Sequence, residues 1–352
     1  MSDFDAEYAL FLDELELCGV REGEVVAVVS QGETLYERAS AVLKAAEQLG
    51  AAAVHVRLPE PSADRALSTA AAGATLGVTR LDDNPAAIEA LKRADLVVDL
   101  VFLLFSKEQF AIREAGARML SCIEPAETLQ RLRPTRDLRR RCEVAVELVE
   151  QAETMRITNA AGTDLVYRLG TYPVFTTYGF TDTPGRWDHY PGGLVYTGGS
   201  DDGVDGRLVI DTGDIVFPFK AYVTEPIELT IAAGRIEDIR GGLQADLMRD
   251  YMEGFNDPRA YGISHIGWGL NEKARWSSLA IDQAGMGMES RLFYGNVLFS
   301  SGPNQELGGT NDTDCHLDIP MRRCSVFLDD RPVVVDGDIV IDDMRADQVV
   351  QA

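Results

Sequence analysis

Hydrophobic positions in the first half of the chain come in short unbroken runs separated by stretches of helical period. The run "EVVAVVS" (24–30) is apolar and β-branched throughout, the pattern of a strand buried on both faces of a parallel sheet. "ETLYERASAVLKAAEQLG" (33–50) follows with helical spacing, and Gly50 supplies the stop. "AAVHVRL" (52–58), "DLVVDLV" (95–101) and "RMLSCIE" (118–124) predict three further strands. "NPAAIEALKRA" (84–94) predicts a helix capped by Asn84 with Pro85 in its first turn. Strands alternating with helices imply a parallel sheet covered on both faces. A helix over 135–153, capped by Thr135, is expected to close this domain, and its Arg136, Arg139, Arg140 and Arg141 predict a solvated face or a subunit contact.

The pattern then changes. "MRITNAAGTDLVYRLG", "GRLVIDTGDIVF" and "IELTIAAGRIEDIRGG" are β segments broken by glycine turns, the last a hairpin turning at Gly234. "CSVFLDDRPVVVDGDIVI" predicts another hairpin, and "LQADLMRDYMEGFND" (243–257) the main helix among them. The expected fold is an α/β domain with a mainly parallel sheet over residues 1–150. A β-rich α+β domain over residues 151–352 follows it.

Composition narrows the function. The formal net charge of -24 argues against nucleic acid or an anionic membrane as partner, because phosphates would be repelled. The acidic N-terminus does not read as a signal peptide, and no apolar run is long enough to span a bilayer. Five cysteines without a C-x-x-C pair predict free thiols and a reducing cytoplasm.

Candidate chemistry gathers around four histidines. In "TDCHLDIP" (313–320), His316 and Asp318 sit two residues apart, which on a strand places both on one face. His265, in "YGISHIGWGLN", can add a second nitrogen. Two histidines and a carboxylate with open positions form the ligand set of non-haem Fe(II) oxygenases, and zinc can use the same set in a hydrolase. An ordinary buried hydrogen-bonded pair also satisfies H-x-D. Cys315 should face away from His316, so a thiolate ligand is not expected. His55 is expected to be structural, and His189 lies in a loop rich in glycine, proline and aromatics. There is no G-x-S-x-G, no phosphate-binding glycine motif, and Ser264 beside His265 makes a poor dyad. The ligand order, with His265 ahead of the H-x-D, differs from that of 2-oxoglutarate oxygenases.

Several stretches together carry a resemblance. "GRWDHYP" (185–191), "MRDYMEGFNDPRAYGISHIGWGLNEKARW" (248–276), "FYGNVLFSSGPNQELGG" (293–309) and "CHLDIPMRRCSVFLDD" (315–330) resemble the 2,5-dihydroxypyridine 5,6-dioxygenases of nicotinic acid degradation. "RADLVVDLVFLL" (93–104) and "LGTYPVFTTYGF" (169–180) extend the similarity over nearly the whole chain. The resemblance implies one Fe(II) per chain held by His265, His316 and Asp318. It also implies an aromatic small-molecule substrate, O2 as co-substrate, and a ring opened with both oxygen atoms incorporated. It further implies a two-domain fold shared with metalloaminopeptidases of the T type. Two peptidase metal positions fall on Leu194 and Leu298, which cannot bind a metal. A homo-oligomer is expected.

Two departures from the family stand at Phe105, where it has a histidine base, and at Thr177, where it has a glutamate near the substrate. His189 is retained as the histidine available for proton transfer. Leu104, Phe105, Thr177 and Tyr178 are expected at the substrate pocket, and Trp187, Tyr190, Trp268 and Tyr294 are aromatic candidates for its wall. The expectation is weak activity on 2,5-dihydroxypyridine itself, or a preference for a related ring. The alternative function is metal-dependent hydrolysis of an amide or cyclic amide.

Overall fold

The structure, a computed structural model, describes residues 3–33, 35–59, 81, 84–104, 106–283 and 285–349. Phe105 lies outside the described residues. The chain divides into two compact units. The first comprises residues 1–135, 177–192 and 284–286, and the second comprises residues 136–176, 193–283 and 287–352.

The first unit is built on five strands in the order Ala52–Leu58, Val25–Gln31, Leu96–Asp99, Arg118–Ser121, Trp187–His189, all pairing in parallel. Val26, Val28, Val29 and Leu96 through Val98 are fully buried, as their unbroken apolar runs require. Asn84 caps the helix Pro85–Leu91 by accepting from the Ala87 amide at 3.1 Å. His55 bonds the Ser30 hydroxyl at 2.7 Å, the structural role expected of it. The fifth strand was not foreseen. Trp187–His189 leaves its loop to extend the edge of the parallel sheet beside Met119–Ser121. That pairing gathers residues 177–192 into the first unit.

In the second unit, eight strands form a sheet, and their assigned pairs are antiparallel. The hairpin at Gly234 is present between Ile227–Ala232 and Arg235–Arg240. Asp329 and Asp330, both at positive φ, turn the hairpin between Cys324–Leu328 and Arg331–Val335. The helix Arg136–Glu150 belongs to this unit rather than closing the first. Arg141 corrects the expectation of a solvated basic face, being fully buried. Its guanidinium bonds Asp137 at 2.9 Å, the Leu270 carbonyl at 2.7 Å and Glu272 at 2.5 Å.

A second sheet in this unit runs Leu317–Met321, Val297–Ser301, Ile263–Gly269, Leu194–Gly198, Phe175–Thr177. Its first four strands pair antiparallel. Among the described residues no helix is long and apolar enough to cross a membrane.

Candidate metal centre

The register of this second sheet sets one face. His265 pairs with Gly198, Gly267 with both Tyr196 and Leu298, and Ser300 with Asp318. Side chains alternate along a strand, so His265, Tyr196, Leu194, Leu298, Ser300 and Asp318 share that face. His316 immediately precedes the strand that carries Asp318. Gly302 lets it approach: at φ +115°, a Cβ there would strike the Cys315 carbonyl and crowd His316.

His265, His316 and Asp318 are each 7% exposed, and one ligand atom from each lies within 4.8 Å of the others. Asp318 Oδ1 is 3.3 Å from His265 Nε2 and 3.2 Å from His316 Nε2. Ligand atoms about 3 Å apart are what bonds of about 2.0–2.2 Å at right angles to one centre produce. Asp318 Oδ1 is buried yet accepts no hydrogen bond of good geometry from either ring. A buried carboxylate oxygen facing two imidazole nitrogens without such a bond fits a cation between them. Cys315 is not part of this group; burial, then Asp257, pushes its thiol up to about 12.

Two residues that sequence reasoning did not single out complete the surroundings. His265 Nδ1 bonds Glu306 Oε1 at 2.8 Å, which leaves Nε2 for the centre. Arg291 Nε donates to Asp318 Oδ2 at 2.6 Å. Burial alone would lower the His265 imidazole, but Glu306 and then Asp318 outweigh it and hold it up at about 10. Burial would raise the Asp318 carboxyl, but His316 and Arg291 hold it well below the usual carboxylate range. Tyr196 packs its ring 5.5 Å from that of His265.

Glu306→Gln should weaken metal binding about 10–100-fold, because a carboxylate on the outer nitrogen of a ligating histidine orients the ring and raises its basicity. Equilibrium dialysis checks it. Unchanged affinity would show that Glu306 does not tune this histidine.

Of the other expected residues, Leu104, Thr177, Tyr178, Trp187, His189 and Tyr190 lie in the first unit and Trp268 and Tyr294 in the second, while Phe105 is outside the described residues. Thr177 is buried at the end of Phe175–Thr177. Tyr178 is a core residue, its ring 4.8 Å from Phe180 and covered by the Arg186 guanidinium at 4.0 Å. Its amide, with those of Gly179 and His189, donates to the buried Asp188 carboxylate. His189 Nδ1 lies 3.1 Å from the Pro191 carbonyl, an acceptor, so in the neutral ring Nδ1 carries the proton and Nε2 is the basic nitrogen. Leu104 is half-buried, in the loop that Asp99 folds back by accepting from the Val101 and Leu103 amides. Tyr190 and Trp268 are fully buried core residues.

Residues 7–341 match the sequence pattern of the 2,5-dihydroxypyridine 5,6-dioxygenase family. A curated relative of that name from Pseudomonas putida strain KT2440 is 45% identical over 333 residues, which cover 94% of this chain and 95% of the relative. The solved structure of 2,5-dihydroxypyridine dioxygenase from Pseudomonas putida KT2440 superposes with a TM-score of 0.94 at 43% identity, covering 98% of this chain and 100% of that one. AmpT from Thermus thermophilus superposes with a TM-score of 0.59 at 13% identity over 96% of this chain and 99% of its own, a likeness of fold alone.

Proposed function

The chain belongs to the 2,5-dihydroxypyridine 5,6-dioxygenase family, and from that premise we propose that it cleaves the ring of a hydroxylated pyridine of the 2,5-dihydroxypyridine kind, using both atoms of O2. The observation that carries the reading is the convergence of His265, His316 and Asp318 on one buried sheet face. The donor set of two imidazoles and one carboxylate suits Fe(II), one per chain. Bound there, Fe(II) would supply the electron relay between an electron-rich ring and O2.

The protein's own residues do the rest. Asp318, His265 and His316 would hold the ion through three donors from one side. Glu306 orients His265, and Arg291 offsets the charge of Asp318. Burial keeps the ligand atoms from bulk water, so charges there are screened less than on the surface. His189, with Nε2 as its basic nitrogen, is the proposed proton acceptor for the ring hydroxyl. Leu104, Phe105, Thr177 and Tyr178 are the proposed substrate-selecting positions. Thr177 offers a hydroxyl where the resemblance implied a carboxylate, which supports a ring that ionises readily or carries its own acidic group. A cytoplasmic homo-oligomer that serves nicotinate-type degradation, with the metal in residues 151–352, belongs to the same proposal.

Hydrolysis by two metals is the weaker reading. Leu194 and Leu298 lie in an apolar cluster with Leu292. Among the described residues, His265, His316 and Asp318 form the group of such ligands.

The test is O2 uptake by anaerobically purified, Fe(II)-loaded protein with 2,5-dihydroxypyridine and a panel of related hydroxypyridines. One O2 consumed per ring opened is expected. Amide hydrolysis without O2 uptake would reverse the assignment. Fast turnover of 2,5-dihydroxypyridine by the unmodified protein would show that Phe105 and Thr177 leave the proton chemistry intact.

A further inference from the structure

The carboxylate of Asp318 has two oxygens with different fates. Oδ1 faces the two histidines, 3.2–3.3 Å away. Oδ2 is taken by Arg291 Nε at 2.6 Å. Arg291 is 6% exposed, and its guanidinium lies 3.8 Å from the centroid of the Phe217 ring. The Phe217 amide in turn donates to the Asp318 carbonyl at 2.9 Å. Phe217 thus holds both the strand that carries the ligand and the cation that pairs with it. Gly287 leaves room for this stack, since a Cβ there would strike the Phe217 ring.

In two-metal sites the ions sit about 3.5–4 Å apart, a spacing that one carboxylate spans by giving an oxygen to each. Here the place next to Oδ2 already holds a positive charge, and a guanidinium does not give up its proton in a protein. Further along the same sheet face come Leu298, one step from Ser300, and Leu194, clustered with Leu292 beside Arg291. Neither charge nor ligands there favour a second ion.

We propose that Arg291 is the positioning residue that holds this centre to a single ion and keeps Asp318 a one-oxygen ligand. It occupies the place a second cation would take. The proposal rests on the metal-centre reading above.

The experiment is an anaerobic titration of metal-free protein with Co(II), with ions per chain counted after desalting and the visible spectrum recorded. Wild type should bind one ion. Leu298→Asp, which adds a carboxylate to the same face, should still bind one. Leu298→Asp combined with Arg291→Met should bind two, and Leu298→Asp combined with Arg291→Lys should return to one. Equal stoichiometry with and without Arg291 in the Leu298→Asp background overturns the proposal. If circular dichroism shows the double variants unfolded, Arg291→Met alone decides. Release of Oδ2 should shift the Co(II) bands and tighten binding of the single ion, whereas an unchanged spectrum with weaker binding means Arg291 is merely structural. Failure of wild type to bind any Co(II) overturns the metal-centre reading itself, and it is seen before any variant is compared.

Discussion

Asp318→Asn is expected to yield a folded protein that has lost its metal ion and its ring-cleaving activity. The loss of affinity should exceed the ~10–100-fold typical of removing a ligand's hydrogen-bonded partner, because a donor itself is lost. The choice of asparagine matters. Asp318 is the anion that Arg291 pairs with inside the protein. Alanine would take a paired anion from a buried guanidinium, at a cost of about 3–5 kcal/mol, and a fall in metal binding could then be read as unfolding. Asparagine keeps the volume and an oxygen for Arg291. Elemental analysis, circular dichroism and O2 uptake on the same sample decide the matter. A variant that keeps one tightly held ion would remove Asp318 from the ligand set.

The second large effect is on stability. Arg141→Met should lower the free energy of unfolding by about 3 kcal/mol, the low end expected for breaking a buried ion pair. The low end applies because Glu272 is partly exposed and Asp137 more than half exposed, so water screens the charges left behind. Loss of the bond to the Leu270 carbonyl adds to the effect, since methionine cannot donate. The urea midpoint measures it. An unmoved midpoint would mean that the arginine contributes nothing net. Folded variant should still bind one ion with unshifted Co(II) bands, which separates this role from that of Arg291.

Those two residues also mark what was legible in the sequence. Apolar runs such as 24–30 announced the parallel strands because burial on both faces leaves no other composition. The hairpin at Gly234 was legible because its turn is local. His316 and Asp318 were legible as a pair because two-residue spacing on a strand is itself a geometric statement. The buried Arg141 was not, because its fate depends on a carbonyl 129 residues away. Trp187–His189 gave no strand signal, being three residues long within a loop and paired in parallel with distant residues. Glu306 was hidden among 57 acidic residues, and nothing local distinguishes one that faces a histidine. Tyr178 packs its ring between Phe180 and Arg186, neighbours two and eight residues on that the local pattern does not single out.

The strand Val297–Ser301 lies between the strands of His265 and Asp318 and gives no ligand. Its consequence is mechanical. The two outer strands are tied to it by backbone ladders, so the separation of His265 and Asp318 is set by the stiffness of a sheet rather than by the softness of loops. An ion bound there as proposed would meet a bite already cut to size, and changing that bite means bending three strands at once. Adjustment during a reaction is therefore pushed to the open side, where incoming groups are free to move and the frame is not.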